Sequence, residues 1–162
     1  MNIKLKRKYL YYLNHKIKCA IGRNGITKNK NEGDLKTPSG IFKLKKIFYR
    51  KDRIKFIKTP LKKNYLKKNI GWCDDPASRY YNREIKFPFK GSAEKLWRKD
   101  NIYDLIIVLN YNFNPIIKNK GSAIFLHICK KNYAPTKGCI AINKKDMMDL
   151  ITNIENNTKL II

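Results

Sequence analysis

The chain has 162 residues, with 37 Lys plus Arg against 12 Asp plus Glu and a formal net charge of +25. Its length fits one domain with a single core, its evenly spread apolar residues exclude wholesale disorder, and no apolar run approaches the ~20 residues of a bilayer-spanning helix. The positive field attracts polyanions without specificity. The lysines are scattered, as at Lys43, Lys45 and Lys46 or Lys62, Lys63, Lys67 and Lys68, and form no stripe interleaved with aromatics. Specific nucleic-acid recognition is therefore not expected.

In chain order, Met1 to Lys8 is basic, but Tyr9 to Ala20 is broken by Asn14, His15, Lys16 and Lys18, so no signal-peptide apolar region is readable. Tyr9 to Ile21 predicts one or two strands around Asn14-His15. Gly22 to Lys36, with Gly22, Gly25 and Gly33, reads as a loop. Pro38 and Gly40 set a tight turn, and Ile41 to Tyr49 follows as a strand with partial alternation. Arg50 to Asn101 contains Pro60, Pro76 and Pro88 and few clean periods. It predicts short elements, long loops suited to a lid or substrate walls, and one helical stretch over Ser92 to Arg98. Leu105 to Leu109 predicts a buried central strand. Ala123 to Ile128 is the next strand and carries His127. Beyond Cys139, Asn143 and Asp146 give a capping-box-like start to a helix with Met147, Met148, Ile151 and Ile154 on one face. Lys159 to Ile162 closes as a last strand, and no repeat or interdomain linker is visible.

The chemistry concentrates in Ile124-Phe125-Leu126-His127-Ile128-Cys129 and Gly138-Cys139-Ile140-Ala141-Ile142. A thiol attacks a carbonyl carbon as thiolate, and an imidazole can take its proton near neutral pH. On residue types alone the plainer reading stays open: Cys139 as a small buried hydrophobe and His127 as a satisfied core histidine. Cys19, Cys73, Cys129 and Cys139 permit alternative disulfide pairings or none, and a free Cys139 leaves an odd number to bridge. His127, Cys129, Cys139 and Cys73 lack the spacing of a zinc site, so no metal is expected.

Thr136-Lys137-Gly138-Cys139, with His127 upstream, resembles the Ser/Thr-x-Gly-Cys signature of the L,D-transpeptidase catalytic domain (YkuD) family. Thr37-Pro38-Ser39-Gly40-Ile41-Phe42 is similar to that family's Thr-Pro-x-Gly-x-Phe mark. Gly71-Trp72-Cys73-Asp74-Asp75-Pro76 and Tyr103 to Leu109 resemble a small, single-domain bacterial branch, so the likeness runs from about Cys19 to about Leu150. It implies a mainly β fold with one or two helices, a β-sandwich or barrel-like catalytic domain over residues 1–162. It also implies an enzyme that needs no cofactor and acts on peptidoglycan stem peptides in the bacterial periplasm or cell envelope. With no signal peptide readable, a cytoplasmic location stays open, and a monomer is expected.

By the same resemblance Cys139 is the nucleophile, forming a thioester that an amine turns into a cross-link and water into a trimmed product. His127 is the general base, oriented by a backbone carbonyl. Gly138, Thr136 and Lys137 form the oxyanion loop, with the amides of Gly138 and Cys139 as donors. The chain departs from the family pattern at Lys137, where His is usual, at Ala141, where Arg is usual, and at Ile128, where Gly is usual. Arg79, Tyr80, Arg83 and Asp75 are the candidate replacement substrate contacts, while Asp74 and Asp75 also read as turn braces. Two other functions are carried alongside: an L,D-carboxypeptidase or other thiol amidase, and a non-catalytic basic protein that binds wall polymer or nucleic acid.

Overall fold

Alternating apolar residues place the N-terminal strands. Ile3 and Leu5 are buried in β1 (Asn2–Lys6), and Leu10 and Tyr12 in β2 (Tyr9–Tyr12), which turns into β3 (His15–Lys18). The computed structural model describes all 162 residues. It continues with β4 (Ile26–Thr27), β5 (Thr37–Pro38), β6 (Ile41–Tyr49), β7 (Lys62–Tyr65), β8 (Ile70–Cys73), β9 (Glu84–Lys86) and β10 (Ala93–Lys95). Then come β11 (Leu105–Leu109), β12 (Phe125–Ile128), β13 (Ile140–Ile142), the single helix α1 (Lys144–Asn153) and β14 (Lys159–Ile161).

The main sheet runs β13-β12-β11-β6-β14-β1-β2-β3, with β7 added beside β6. Beyond β3, Ala20 pairs with Ala141 of β13 through two backbone bonds of 2.8 and 2.9 Å, which brings the two ends of the sheet together. The fold is mainly β and the sheet nearly closed and barrel-like, as the sequence predicts. A separate sheet, β10-β8-β9, lies over one outer face.

Two apolar clusters follow from this layering. The larger fills the barrel and includes Leu105, Ile107 and Leu109 of β11, Leu126 and Ile128 of β12, Ile140 and Ile142 of β13, and Met147, Leu150 and Ile151 of α1. The smaller occupies the seam between barrel and small sheet and includes Ile106, Val108, Phe125, Tyr103, Trp72, Leu96 and Cys139. Odd and even positions of β11 therefore both meet apolar neighbours, which is why this strand reads as an unbroken apolar run. The imperfect alternation of β6 has a local cause. Leu44 pairs with Leu109 and Lys46 with Val108, so Lys45 is an extra residue, a β-bulge that shifts the inward positions by one.

The helix predicted over Ser92 to Arg98 is not formed. Residues Ala93–Lys95 are strand β10, antiparallel to β8, with Glu94 opposite Trp72 and Lys95 opposite Gly71. A Cβ on Gly71 would stand 2.5 Å from the Phe87 ring and 2.9 Å from the Glu94 carbonyl oxygen, so glycine lets this strand close in. Long-range pairing outweighs a short local helical preference here. The C-terminal helix forms as predicted, with Asn143 Oδ1 accepting from the Asp146 amide at 2.8 Å.

That cap makes one expectation concrete. Asn143→Ala should lower the free energy of unfolding by about 1 kcal/mol, seen as a lower urea midpoint with an unchanged slope.

Candidate active site

Strand parity brings the two reactive side chains to one face. β12 and β13 run parallel, Leu126 beside Ile140 and His127 beside Ala141, so Cys139 arrives level with Phe125. Leu126 and Ile140 point into the barrel, whereas Phe125 and Cys139 point into the seam, and His127 shares their parity. His127 packs edge-on to Tyr103, with ring centroids 5.2 Å apart.

The turn before Cys139 is held from both sides. Gly138 has φ +141°, and a Cβ there would lie 2.9 Å from the Lys36 carbonyl oxygen, so the turn requires glycine. Thr37, fully buried, accepts from the Gly22 amide at 2.8 Å and donates to the Gly138 carbonyl at 2.9 Å. The Thr-Pro-x-Gly-x-Phe segment thus braces the Gly-Cys turn across 101 positions of sequence. Thr136 Oγ1 donates to the Cys139 carbonyl at 2.5 Å and accepts from the Gly138 amide at 3.1 Å. The Gly138 amide is therefore committed within the turn and is not a free oxyanion donor, which leaves the Cys139 amide of the expected pair. Buried Lys30, ion-paired with Asp34, runs beneath the turn.

Cys139 is 9 % exposed and His127 is 6 % exposed. Cys139 Sγ lies 3.0 Å from the Ala123 carbonyl, to which the thiol donates, and 3.3 Å from the Phe125 amide, from which it accepts. The partners are Ala123, two residues before β12, and Phe125, its first residue, and no hydrogen bond joins Sγ to His127 in this resting arrangement. Ala123 presents its carbonyl from a left-handed backbone conformation, φ +52°, with its amide held by Asn82 Oδ1 at 3.1 Å. Asn82 also accepts from Trp72 Nε1 at 2.9 Å, so the small sheet helps shape the thiol's surroundings. His127 Nδ1 donates to the Ile128 carbonyl at 2.9 Å, leaving Nε2 as the basic nitrogen.

Burial dominates the electrostatics. It pushes the Cys139 thiol up to about 12, with the Glu94 charge adding to it and the Phe125 amide and Lys30 opposing. Burial also pushes His127 down to about 4, against the pull of the Ile128 and Ile102 carbonyls. The resting pair is neutral thiol and neutral imidazole.

The other predicted contacts are elsewhere. Asp75 Oδ1 accepts from the Ala77 amide at 2.9 Å as a turn brace, and Arg79 donates to the Tyr80 hydroxyl at 2.8 Å. Arg79, Tyr80 and Arg83 are exposed on the β8–β9 turn, with no hydrogen bond to Cys139 or His127. Lys137 is exposed beside the turn. All four cysteines are free thiols, and no three His, Cys, Asp or Glu side chains meet as metal ligands. An open groove of about 580 Å³, lined by Lys28, Lys30, Lys45, Asn110, Asn112 and Lys120, adjoins the far side of Lys30 and contains neither Cys139 nor His127. Sequence reasoning missed Thr37 as a brace, and it missed Glu94, Tyr103 and Arg98 altogether. Glu94 had one usable signal: it is one of only 12 acidic residues in a strongly basic chain.

A family model described as the L,D-transpeptidase catalytic domain (YkuD) matches residues 2–162. No curated protein matches the chain.

Two outcomes follow from this geometry. Thr37→Val leaves the Gly22 amide and Gly138 carbonyl unsatisfied and should cost about 2–3 kcal/mol of stability, measured by urea unfolding. Neutral His127 binds its proton only near pH 4 when folded but near 6.5 when unfolded, so its stability contribution is full above 6.5 and is lost as pH falls toward 4. In His127→Gln that acid-side loss, about 3 kcal/mol, should be missing from the pH dependence of the unfolding free energy.

Proposed function

The chain belongs to the L,D-transpeptidase catalytic-domain family, and on that premise we propose that it is a cysteine acyltransferase acting on peptidoglycan stem peptides. The observation that carries this reading is the shared parity of Cys139 and His127 on adjoining parallel strands, beside a turn that requires glycine. Cys139 attacks the carbonyl carbon of an amide bond between a diamino acid and the following D-residue. A carbon–sulfur bond forms, the carbon–nitrogen bond breaks, and the leaving amine takes the thiol's proton by way of His127 Nε2. An acceptor amine then attacks the thioester, gives up a proton to His127 and restores the thiol. Water in place of the amine gives trimming.

The resting geometry supplies two conditions on that cycle. Sγ must give up its bond to the Ala123 carbonyl before it meets Nε2. Forming a separated thiolate and imidazolium from groups at about 12 and about 4 would cost on the order of 10 kcal/mol. Proton transfer is therefore coupled to attack on bound substrate, and the free enzyme holds no standing ion pair. The Cys139 amide is the oxyanion donor in this scheme, and the Ile128 carbonyl keeps His127 in the right tautomer. The whole of residues 1–162 acts as one catalytic unit.

The test is mass spectrometry after incubation with a defined tetrapeptide muropeptide. The wild type should give a thioester adduct and a cross-linked or trimmed product, and Cys139→Ala should give none while keeping its fold. His127→Gln should lower kcat by roughly 10²–10⁴-fold. Turnover by the Cys139→Ala protein equal to wild type would remove the reading.

A further inference from the structure

The acyl-transfer scheme above leaves Asn82 unused, although its whole hydrogen-bonding capacity is committed two bonds from the thiol. Asn82 sits on the turn between β8 and β9, is 2 % exposed, and has a left-handed backbone conformation, φ +54°. Its Oδ1 accepts from Trp72 Nε1 at 2.9 Å and from the Ala123 amide at 3.1 Å. Its Nδ2 donates to the carbonyls of Tyr111 at 3.1 Å and Asn112 at 2.7 Å. A carboxamide has two donors and two acceptor positions, so these four bonds define which end is oxygen and leave the group no freedom to turn. Three segments meet at that one side chain: the small sheet at Trp72, the loop after β11 at Tyr111 and Asn112, and the approach to β12 at Ala123.

Ala123 is the link to the chemistry. Its φ of +52° is disfavoured for any residue with a Cβ and persists only where the surroundings impose it. In that conformation its carbonyl accepts from Cys139 Sγ at 3.0 Å. We propose that Asn82 is a positioning residue for the nucleophile: by holding the Ala123 amide it aims the Ala123 carbonyl at Cys139 and parks the thiol there, proton on sulfur, instead of on His127. The inference rests on Cys139 being the nucleophile and adds what sets its resting place. A hydrogen bond donated by a thiol stabilises the protonated form and is given up when thiolate forms. Without Asn82 the buried Ala123 amide loses its acceptor, the backbone leaves the left-handed region, and the carbonyl turns away from sulfur. Trp72 places the docking of the small sheet in the same network, so the roof of the seam and the parked thiol are held together.

The test is the S–H stretching band of Cys139, read by infrared difference between the full chain and its Cys139→Ala variant. A thiol that donates to a carbonyl absorbs at lower wavenumber than one without an acceptor. Cys19, buried in the barrel core with no hydrogen bond to its sulfur, gives the unbonded reference through Cys19→Ala. In wild type the Cys139 band should lie below the Cys19 band. Asn82→Gly, in which glycine takes the left-handed conformation without strain, should move the Cys139 band up to the Cys19 position. Asn82→Asp keeps an acceptor for the Ala123 amide and should hold the band at its wild-type place. A residue that only kept the small sheet in position would leave the band where it is in both variants. Protection of Cys19 from iodoacetamide reports the fold of each variant. An unmoved band in Asn82→Gly with Cys19 protected would overturn the proposal. So would a wild-type Cys139 band coincident with that of Cys19, a result that needs no variant of Asn82, or a band displaced in Asn82→Asp. None of these readings involves turnover, so the loss of activity expected of Cys139→Ala stands or falls separately.

Discussion

The hydroxyl of Thr37 is the junction on which the site depends. One oxygen accepts from the Gly22 amide and donates to the Gly138 carbonyl, and all three groups are buried. Without it, two strongly polar backbone groups would face an apolar interior with no water to satisfy them. The bond also decides geometry. Gly138 sits where a side chain would collide with the Lys36 carbonyl, so the strand containing Thr37 and the turn containing Cys139 pass within van der Waals contact. Two sequence marks a hundred positions apart are, in space, one hydrogen-bonded object.

Around that junction the fold supplies two contrasting environments on opposite sides of the same strands. The barrel side of β12 and β13 is uniformly aliphatic and serves stability. The seam side carries the imidazole, the thiol, Tyr103 and Glu94, roofed by a small sheet whose Trp72 is tied to Asn82 and through it to Ala123. Low dielectric there makes each charge consequential. Burial there favours a neutral thiol and a neutral imidazole. The family match gives the class of catalytic domain, and this setting, dominated by burial, favours the uncharged form of a sulfur so deeply covered.

Much of the architecture is legible in the residues because local and tertiary signals agree. Leu105 to Leu109 reads as a central strand and is one. Asn143 with Asp146 reads as a helix start and is one. Ile41 to Tyr49 is legible as a strand, though not its bulge, since an extra residue at Lys45 has no signature in composition. Ser92 to Arg98 misleads because a strand held by cross-strand partners need not show strand periodicity over three residues. Cys139 and His127 can be found from chemistry and motif. Glu94 and Tyr103 cannot, because their hydrogen bond beside His127 is made by the docking of one sheet on another and not by spacing along the chain. Arg79, Tyr80 and Arg83 have the right residue types for anion contacts and are exposed on the turn whose Asn82 reaches the seam, yet none of them hydrogen-bonds Cys139 or His127.

The position of β14 has a consequence for how such a molecule comes into being. It lies between β6 and β1, parallel to the latter and antiparallel to the former. The β1 edge of the amino-terminal hairpin therefore joins the main sheet only through residues 159–161. The other end of the hairpin meets the sheet through Ala20 and Ala141, two residues from Cys139. During synthesis the nascent polypeptide carries an incomplete sheet with open edges. Segments far apart in the polypeptide must thus all be in place before the sheet closes beside Cys139.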